Sequence, residues 1–307
     1  MIPLSGAQAE NKKAVVSQAF QSLLYLPLYV ALDEGLFAKQ GLDVTKETAG
    51  APPVALNAVI SGSAQFSLHG PEWTAIAASK GGELQIIANV VNGAAVWIAA
   101  APDFDYKDIS SLKGQTIVTG TMPTTSTSLF FKLLKENGID PEKDIKTIQV
   151  PIGSEIGAFL AGQAKVAVMY EPGLDQAALK GMKVVFGFPK QYGPYAFSAI
   201  SAKKDVDSDI AQRFVNGLQA AITLIKTDPA KAIEIAKKEF PQLDPAVVEA
   251  ATKRMIADKV YPESVDITPE ALKTGLNTQI YLGNLKEQPE YNSFVAHRYI
   301  EKALSSQ

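Results

Sequence analysis

The chain has 307 residues, 47% of them hydrophobic and 20% charged, a composition that suits two folded lobes of ordinary size and excludes intrinsic disorder. A formal net charge of −3, with arginine only at Arg213, Arg254 and Arg298, leaves no basic field for a nucleic-acid backbone. The absence of cysteine excludes disulfides, thiolate metal sites and cysteine nucleophiles together.

At the N-terminus, Ala7-Gln8-Ala9 has the small-x-small form of a signal-peptidase site without the preceding basic and apolar regions. Residues 1–13 therefore read as a trimmed export signal or a polar tail. No later stretch approaches the roughly 18 apolar residues of a membrane span, so a soluble mature chain is expected.

From Val15 onward, β-rich runs alternate with helical patterns, the signature of parallel sheets with crossover helices. Ala14–Phe20 reads as a strand, followed by a helix from Pro27 to Gly35, a short turn Leu36–Gln40, and a second strand Leu42–Glu47. A helix Pro53–Ser61 stops at Gly62, and Ala64–Leu68 forms a third strand that delivers His69-Gly70-Pro71-Glu72-Trp73 at its carboxyl end. The second half repeats this plan. Ala55–Leu68 and Glu155–Val168 both run helix, glycine, one residue, alanine, strand, with Gly62 and Gly162 in matching places; Pro27 to Gly41-Leu42-Asp43 likewise parallels Pro123 to Gly138-Ile139-Asp140. Two lobes of like topology follow, each a mixed, mainly parallel sheet flanked by helices.

Leu84–Val91 and Ala95–Ala101 read as strands crossing between lobes, and Tyr195–Ala202 as the return. The expected organisation is 14–93 for the first part of lobe 1, 94–196 for lobe 2, and 197–307 for the return strand and C-terminal helices that complete lobe 1. Those helices are predicted near 207–226, 229–239, 245–258, 269–283 and 290–304, opened by Asp, Thr or Pro.

In open α/β sheets, ligands bind beyond the carboxyl ends of the strands, where helix N-termini present free N–H groups. Two such edges facing each other make a cleft, lined by loops near residues 20–26, 49–52, 69–73, 119–127, 151–155 and 170–172. Thr121, Thr124, Thr125 and Ser126 gather hydroxyls and amides at a helix mouth, which suits a carboxylate or sulfonate; simple N-capping is the alternative. Phe20, Tyr25, Trp73 and Tyr170 offer flat surface for an organic ligand, or are core. Glu72 and Glu171 hold similar places in the two halves, as ligand contacts or as first-turn carboxylates favoured by the helix dipole. His69 is a candidate hydrogen-bond donor or a structural histidine. Gln21, Leu24, Asn92 and Tyr195 complete the candidate lining. No cofactor or metal site is expected: Asp205, Asp207 and Asp209 imitate the start of a calcium loop, but Ile210 replaces its turn glycine, so they are assigned to helix capping. Nucleophile-elbow, phosphate-loop, dinucleotide and zinc-protease motifs are all missing. An enzyme with His69 and Glu72 as an acid–base pair, and an effector domain of a regulator, remain as alternatives.

Pro27-Leu-Tyr-Val-Ala31, Gly35-Leu-Phe37, Gly41-Leu-Asp-Val44, Ser61-Gly-Ser-Ala-Gln-Phe66, and Leu160-Ala-Gly-Gln-Ala164 through Tyr170-Glu-Pro172 together resemble the solute-binding proteins of ABC importers for alkanesulfonates, taurine, nitrate and thiamine-pyrimidine precursors. The likeness covers about residues 14–200. It implies a two-lobe periplasmic-binding-protein fold of the type II kind. It also implies an exported, monomeric, non-catalytic protein, periplasmic or membrane-anchored, that closes over a small molecule and docks on a permease. The pyrimidine-synthase branch resembles the same fold but relies on a cysteine-rich motif, which this chain lacks. The ligand expected from the hydroxyl-rich loop is an acid, a sulfonate or aromatic carboxylate, held by lysine or backbone N–H groups because the arginines all fall in the helical tail.

Overall fold

The computed structural model describes residues 10–306, so the Ala7-Gln8-Ala9 signal lies outside the described residues. Ten strands form two five-stranded sheets. In chain order they are β1 (Lys12–Gln18), β2 (Leu42–Thr48), β3 (Phe66–His69), β4 (Leu84–Gly93), β5 (Trp97–Ala100), β6 (Thr116–Gly120), β7 (Lys146–Val150), β8 (Val166–Met169), β9 (Lys183–Gly187) and β10 (Pro194–Lys203). One sheet has the order β2-β1-β3-β10-β4, the other β7-β6-β8-β5-β9.

The duplication read from sequence is explicit in this topology. Strands beginning at 12, 42, 66 and 84 in the first lobe match strands beginning at 116, 146, 166 and 183 in the second, in the same spatial order. The fourth place in each sheet is filled by the strand that has just crossed from the other lobe, and it alone runs antiparallel to both neighbours. The central strands β3 (FSLH) and β8 (VAVM) are buried along their whole length, whereas the edge strands β2 and β7 show partial exposure. That contrast follows from helices covering both faces of a parallel sheet. Gly62 and Gly162 end equivalent turns at φ +83° and +73°, a region where a side chain is strained.

Four expectations shift. The first strand ends at Gln18, leaving Ala19 and Phe20 in the loop beyond it, and Leu36–Lys39 is a short helix rather than a turn. The runs 84–91 and 95–101 belong to one sheet each, so the first crossing is the segment 94–96 between them. The last expected helix is two, Tyr291–Phe294 and His297–Ser305. The break has a physical cause: Val295 bridges Ile86 on the free edge of β4, and the Ala296 N–H donates to the Ile86 carbonyl at 2.8 Å.

The other tail helices fall where capping places them. Asp207 opens Ser208–Thr227 by accepting from the Asp209 and Ile210 N–H groups, and Asp228, Asp244 and Thr268 cap Pro229–Glu239, Pro245–Ala257 and Pro269–Tyr281, each with proline in the first turn. Ser208–Thr227 packs on the helices of the first lobe, and Pro269–Tyr281 lies on β10. Two of these helices also touch the second lobe: Pro245–Ala257 meets Gly173–Leu179, and Pro269–Tyr281 meets Thr125–Glu136.

Candidate functional site

The loops after β1, β3, β6, β7 and β8 converge between the lobes, where several contacts bridge residues far apart in sequence. The Thr125 hydroxyl donates to Glu72 Oε1 at 2.5 Å. The Ser22 hydroxyl donates to the Glu171 carbonyl at 2.9 Å. Phe20 lies against Tyr170 with ring centroids 5.5 Å apart, and edge-on to Tyr25 at 5.4 Å. A cavity of about 170 Å³ sits in this seam, lined by Phe20, Gln21 and Ser22 from one lobe, Glu155, Tyr170 and Glu171 from the other, and Phe240 from the tail.

The hydroxyl-rich loop is organised around acceptors. The helix Thr125–Glu136 begins at Thr124, whose side chain makes no capping bond; its hydroxyl donates instead to the Thr121 carbonyl at 2.6 Å. Thr127 donates to the Gly120 carbonyl and Ser128 to the Pro123 carbonyl. Ser126 donates its N–H to the Tyr170 hydroxyl at 3.3 Å, while its own Oγ is buried with no hydrogen-bond partner. Thr121 itself is exposed. The simple N-cap alternative is thus not what the loop does, and most of its hydroxyl protons are already directed at protein oxygens.

Two carboxyl groups dominate the electrostatics. Burial pushes Glu72 up to about 7, against the opposing pull of the Thr125 hydroxyl bond. Burial likewise pushes Glu155 up to about 7, moderated by the backbone N–H groups of Glu155 and Gly153. Glu155 Oε1 has no hydrogen-bond partner. The buried Tyr170 hydroxyl is raised well above its ordinary value by burial, against the opposing pull of the neighbouring Ser126 side chain, with smaller upward contributions from Glu155, Tyr25 and Glu72. Gly70 makes room for one of them: a Cβ there would overlap the Glu72 carboxyl and the Thr125 hydroxyl.

Beside this group lies a second acidic pair that is fully matched. Arg254, on the tail helix Pro245–Ala257, reaches across to the second lobe and donates from Nε to Glu171 at 2.9 Å and from Nη2 to Asp175 at 2.7 Å. Burial, and then the neighbouring Asp175, raise Glu171 above the usual carboxyl range, and the guanidinium opposes that rise.

The remaining candidates fall elsewhere. Gln21 is exposed at the cavity wall, with its amide donating to Glu239. Leu24 is a core side chain. Trp73 packs with the cluster of Leu56, Val59, Ala64 and Leu84, separate from the main core, because its place on Pro71–Ser79 turns it off the cavity wall. Asn92 lies by the lobe crossing, with its N–H on the Val260 carbonyl and its Oδ1 on Asn89. The Tyr195 hydroxyl is tied to Thr278 Oγ1 at 3.0 Å and the Gly275 carbonyl. His69 is wholly buried, with Nε2 3.0 Å from the Ser67 hydroxyl and Nδ1 2.9 Å from the Gly70 carbonyl. Burial pulls it down to about 4, so it is neutral and both its nitrogens are engaged within the first lobe. That geometry removes His69 and Glu72 as an acid–base pair acting on a ligand.

Sequence reasoning left Ser22, Asp175, Arg254 and Glu155 out of the candidate set. Glu155 carried a signal, since it opens a helix directly after a strand-end loop; Arg254, far off in the helical tail, had none, although its partner Glu171 was already a candidate.

Solved structures of binding proteins share this architecture over nearly the whole chain. The alkanesulfonate-binding protein SsuA from Xanthomonas axonopodis pv. citri, bound to MOPS, superposes with a TM-score of 0.74 at 18% identity, over 96% of this chain and 99% of that one. The periplasmic nitrate-binding protein NrtA from Synechocystis PCC 6803 does so with a TM-score of 0.77 at 14% identity, over 97% and 89%. At those identities the likeness is one of fold. By sequence, the provisionally named binding protein YtlA of Bacillus subtilis (strain 168) is 26% identical over 321 aligned residues, covering 99% of this chain and 94% of its own. The model of the NMT1/THI5 like family matches residues 24–232, more than half of the chain, and the chain belongs to that family.

Proposed function

We propose that the protein is the solute-binding component of an ABC importer, non-catalytic and extracytoplasmic, which closes its two lobes over a small organic molecule and presents it to a permease. The observation that carries this reading is the inter-lobe seam itself. Glu72 on one lobe meets Thr125 on the other, Ser22 meets Glu171, and a cavity lined by Glu155, whose Oε1 has no hydrogen-bond partner, lies in the same seam. Polar groups buried without partners are destabilising and recur where a ligand completes them. The family membership and the shared fold of importer-associated binding proteins support the same role. No helix among the described residues is long and apolar enough to cross a membrane.

The proposed contacts are Phe20, Ser22, Glu155 and Tyr170 at the cavity wall, with Tyr25, Glu72, Thr125 and Ser126 behind them in the same seam. The acidic ligand suggested by the Thr-rich loop loses its support here, because Thr125 already donates to a carboxyl and the cavity lining holds Glu155 and Glu171 with no lysine or arginine. Occupancy shifts an open–closed equilibrium only through differential affinity for the closed form. Small-angle scattering with and without a ligand found by thermal-shift screening tests the proposal: the radius of gyration should fall on binding. A ligand that is chemically turned over, or one that binds with no change in shape, would contradict it.

A further inference from the structure

A buried carboxylate is tolerated when a cation or several hydrogen-bond donors compensate it. Glu171 has Arg254. Among the described residues, Glu72 and Glu155 form no ion pair; Glu72 has one side-chain donor, Thr125, and the Glu155 carboxyl has only the backbone N–H groups of Glu155 and Gly153. Glu155 Oε1 and Ser126 Oγ are both buried without a hydrogen-bond partner; Glu155 lines the inter-lobe cavity, and Ser126 stands behind its wall, with its N–H on the hydroxyl of the lining residue Tyr170. Phe20 and Tyr170 bound the same cavity. From this arrangement we infer that the cavity takes a small organic cation, an ammonium, amidinium or guanidinium compound, whose N–H groups donate to Glu155 Oε1 and Ser126 Oγ while the two rings flank its organic body.

This inference rests on the solute-binding reading and narrows it to one charge class. A cation neutralises the Glu155 carboxylate and gains from the faces of Phe20 and Tyr170. An oxyanion in the same place would meet carboxyls. Burial has already raised both glutamates to about 7, and a cation beside them would draw them back down. The titratable groups facing them are the Glu171 carboxyl across the cavity, already paired with Arg254, and hydroxyls: Tyr170 beside both, with Tyr25 and Tyr195 on the Glu72 side.

Three probes of one shape and different charge test the assignment: benzamidine, benzamide and benzoate, with benzenesulfonate as a second anion, measured by thermal shift and calorimetry on the full chain. Benzamidine is expected to bind about tenfold or more tightly than benzamide. Its affinity should rise with pH through about 7, chiefly as Glu155 ionises, and Glu155→Gln should abolish the preference and most of the pH dependence. Ser126→Ala, a smaller change, should weaken benzamidine alone, with an unchanged melting temperature showing that the fold is intact. Tighter binding of benzoate or benzenesulfonate than of benzamidine would overturn the charge class and leave the solute-binding reading standing. Binding of benzamide as tight as benzamidine would overturn it in the same way. No shift with any of the probes would count against the charge class and the binding reading together.

Discussion

Two acidic clusters sit a short distance apart in the same inter-lobe seam and are treated in opposite ways. At one, Glu171 and Asp175 share the Arg254 guanidinium, supplied by the tail helix Pro245–Ala257. At the other, Glu72 receives one hydroxyl bond and Glu155 Oε1 receives none. The first cluster carries its own cation and joins the lobes, whereas the second has no cation and one buried carboxyl oxygen without a donor, the deficit that the proposed ligand would fill. A fold that closes on a ligand needs both kinds: contacts that hold the closed form within reach, and a deficit that only the correct molecule fills.

Removing the cation from the matched cluster should have the largest effect. Arg254→Ala leaves Glu171 and Asp175 buried and unpaired, which costs about 3 kcal/mol, the low end for a broken buried pair because the guanidinium is partly exposed. Small-angle scattering should show a more open ligand-free protein and calorimetry a weaker ligand affinity; an unchanged radius of gyration would mean the pair does not hold the lobes.

The unmatched cluster should respond in the opposite direction. Glu155 is raised above its unfolded value, so the folded state is most stable below about pH 4.5 with respect to this group, and that stability is lost as pH rises to about 7. Glu155→Gln should therefore raise the ligand-free melting temperature at pH 8 while leaving pH 4.5 little changed, by up to about 3 kcal/mol for a shift of this size. Equal melting temperatures for both forms at pH 8 would show that the carboxyl carries no burial penalty.

Gly70→Ala sharpens the comparison on the Glu72 side. The added methyl overlaps the Glu72 carboxyl and the Thr125 hydroxyl, so a loss of about 1–3 kcal/mol in denaturant unfolding is expected. The equivalent change at exposed positions would cost far less. Trp73→Phe is the smallest case: the ring packs away from the cavity lining, and its Nε1 is buried without a partner. Ligand affinity should move by less than about twofold and stability by about 0.5 kcal/mol or less. A large affinity loss would place Trp73 in the cleft after all.

Much of the fold was legible because its signals are local. The matched glycines at 62 and 162 end turns that need positive φ, and buried central strands need apolar runs, so the duplicated order shows in composition alone. Helix starts at Asp207, Asp228, Asp244 and Thr268 were readable for the same reason, since a cap bonds to N–H groups within three residues. The site was legible only as a set of loops. Phe20, Tyr25, Thr125, Ser126 and Tyr170 do gather there, whereas Trp73, Asn92 and Leu24 occupy neighbouring loops or helices but turn elsewhere.

By itself, then, the sequence determined the alternation of strands and helices, the two copies of one plan, and which chain segments end at the facing edges. Tertiary structure decided the charge logic: Arg254 finds Glu171 across 83 positions of sequence, Thr125 turns its hydroxyl to Glu72, and Glu155 Oε1 is left without a donor. The reason is physical. Periodicity and capping act over a few residues, but whether a buried carboxyl is compensated depends on which side chains arrive from other elements, and no local pattern records that.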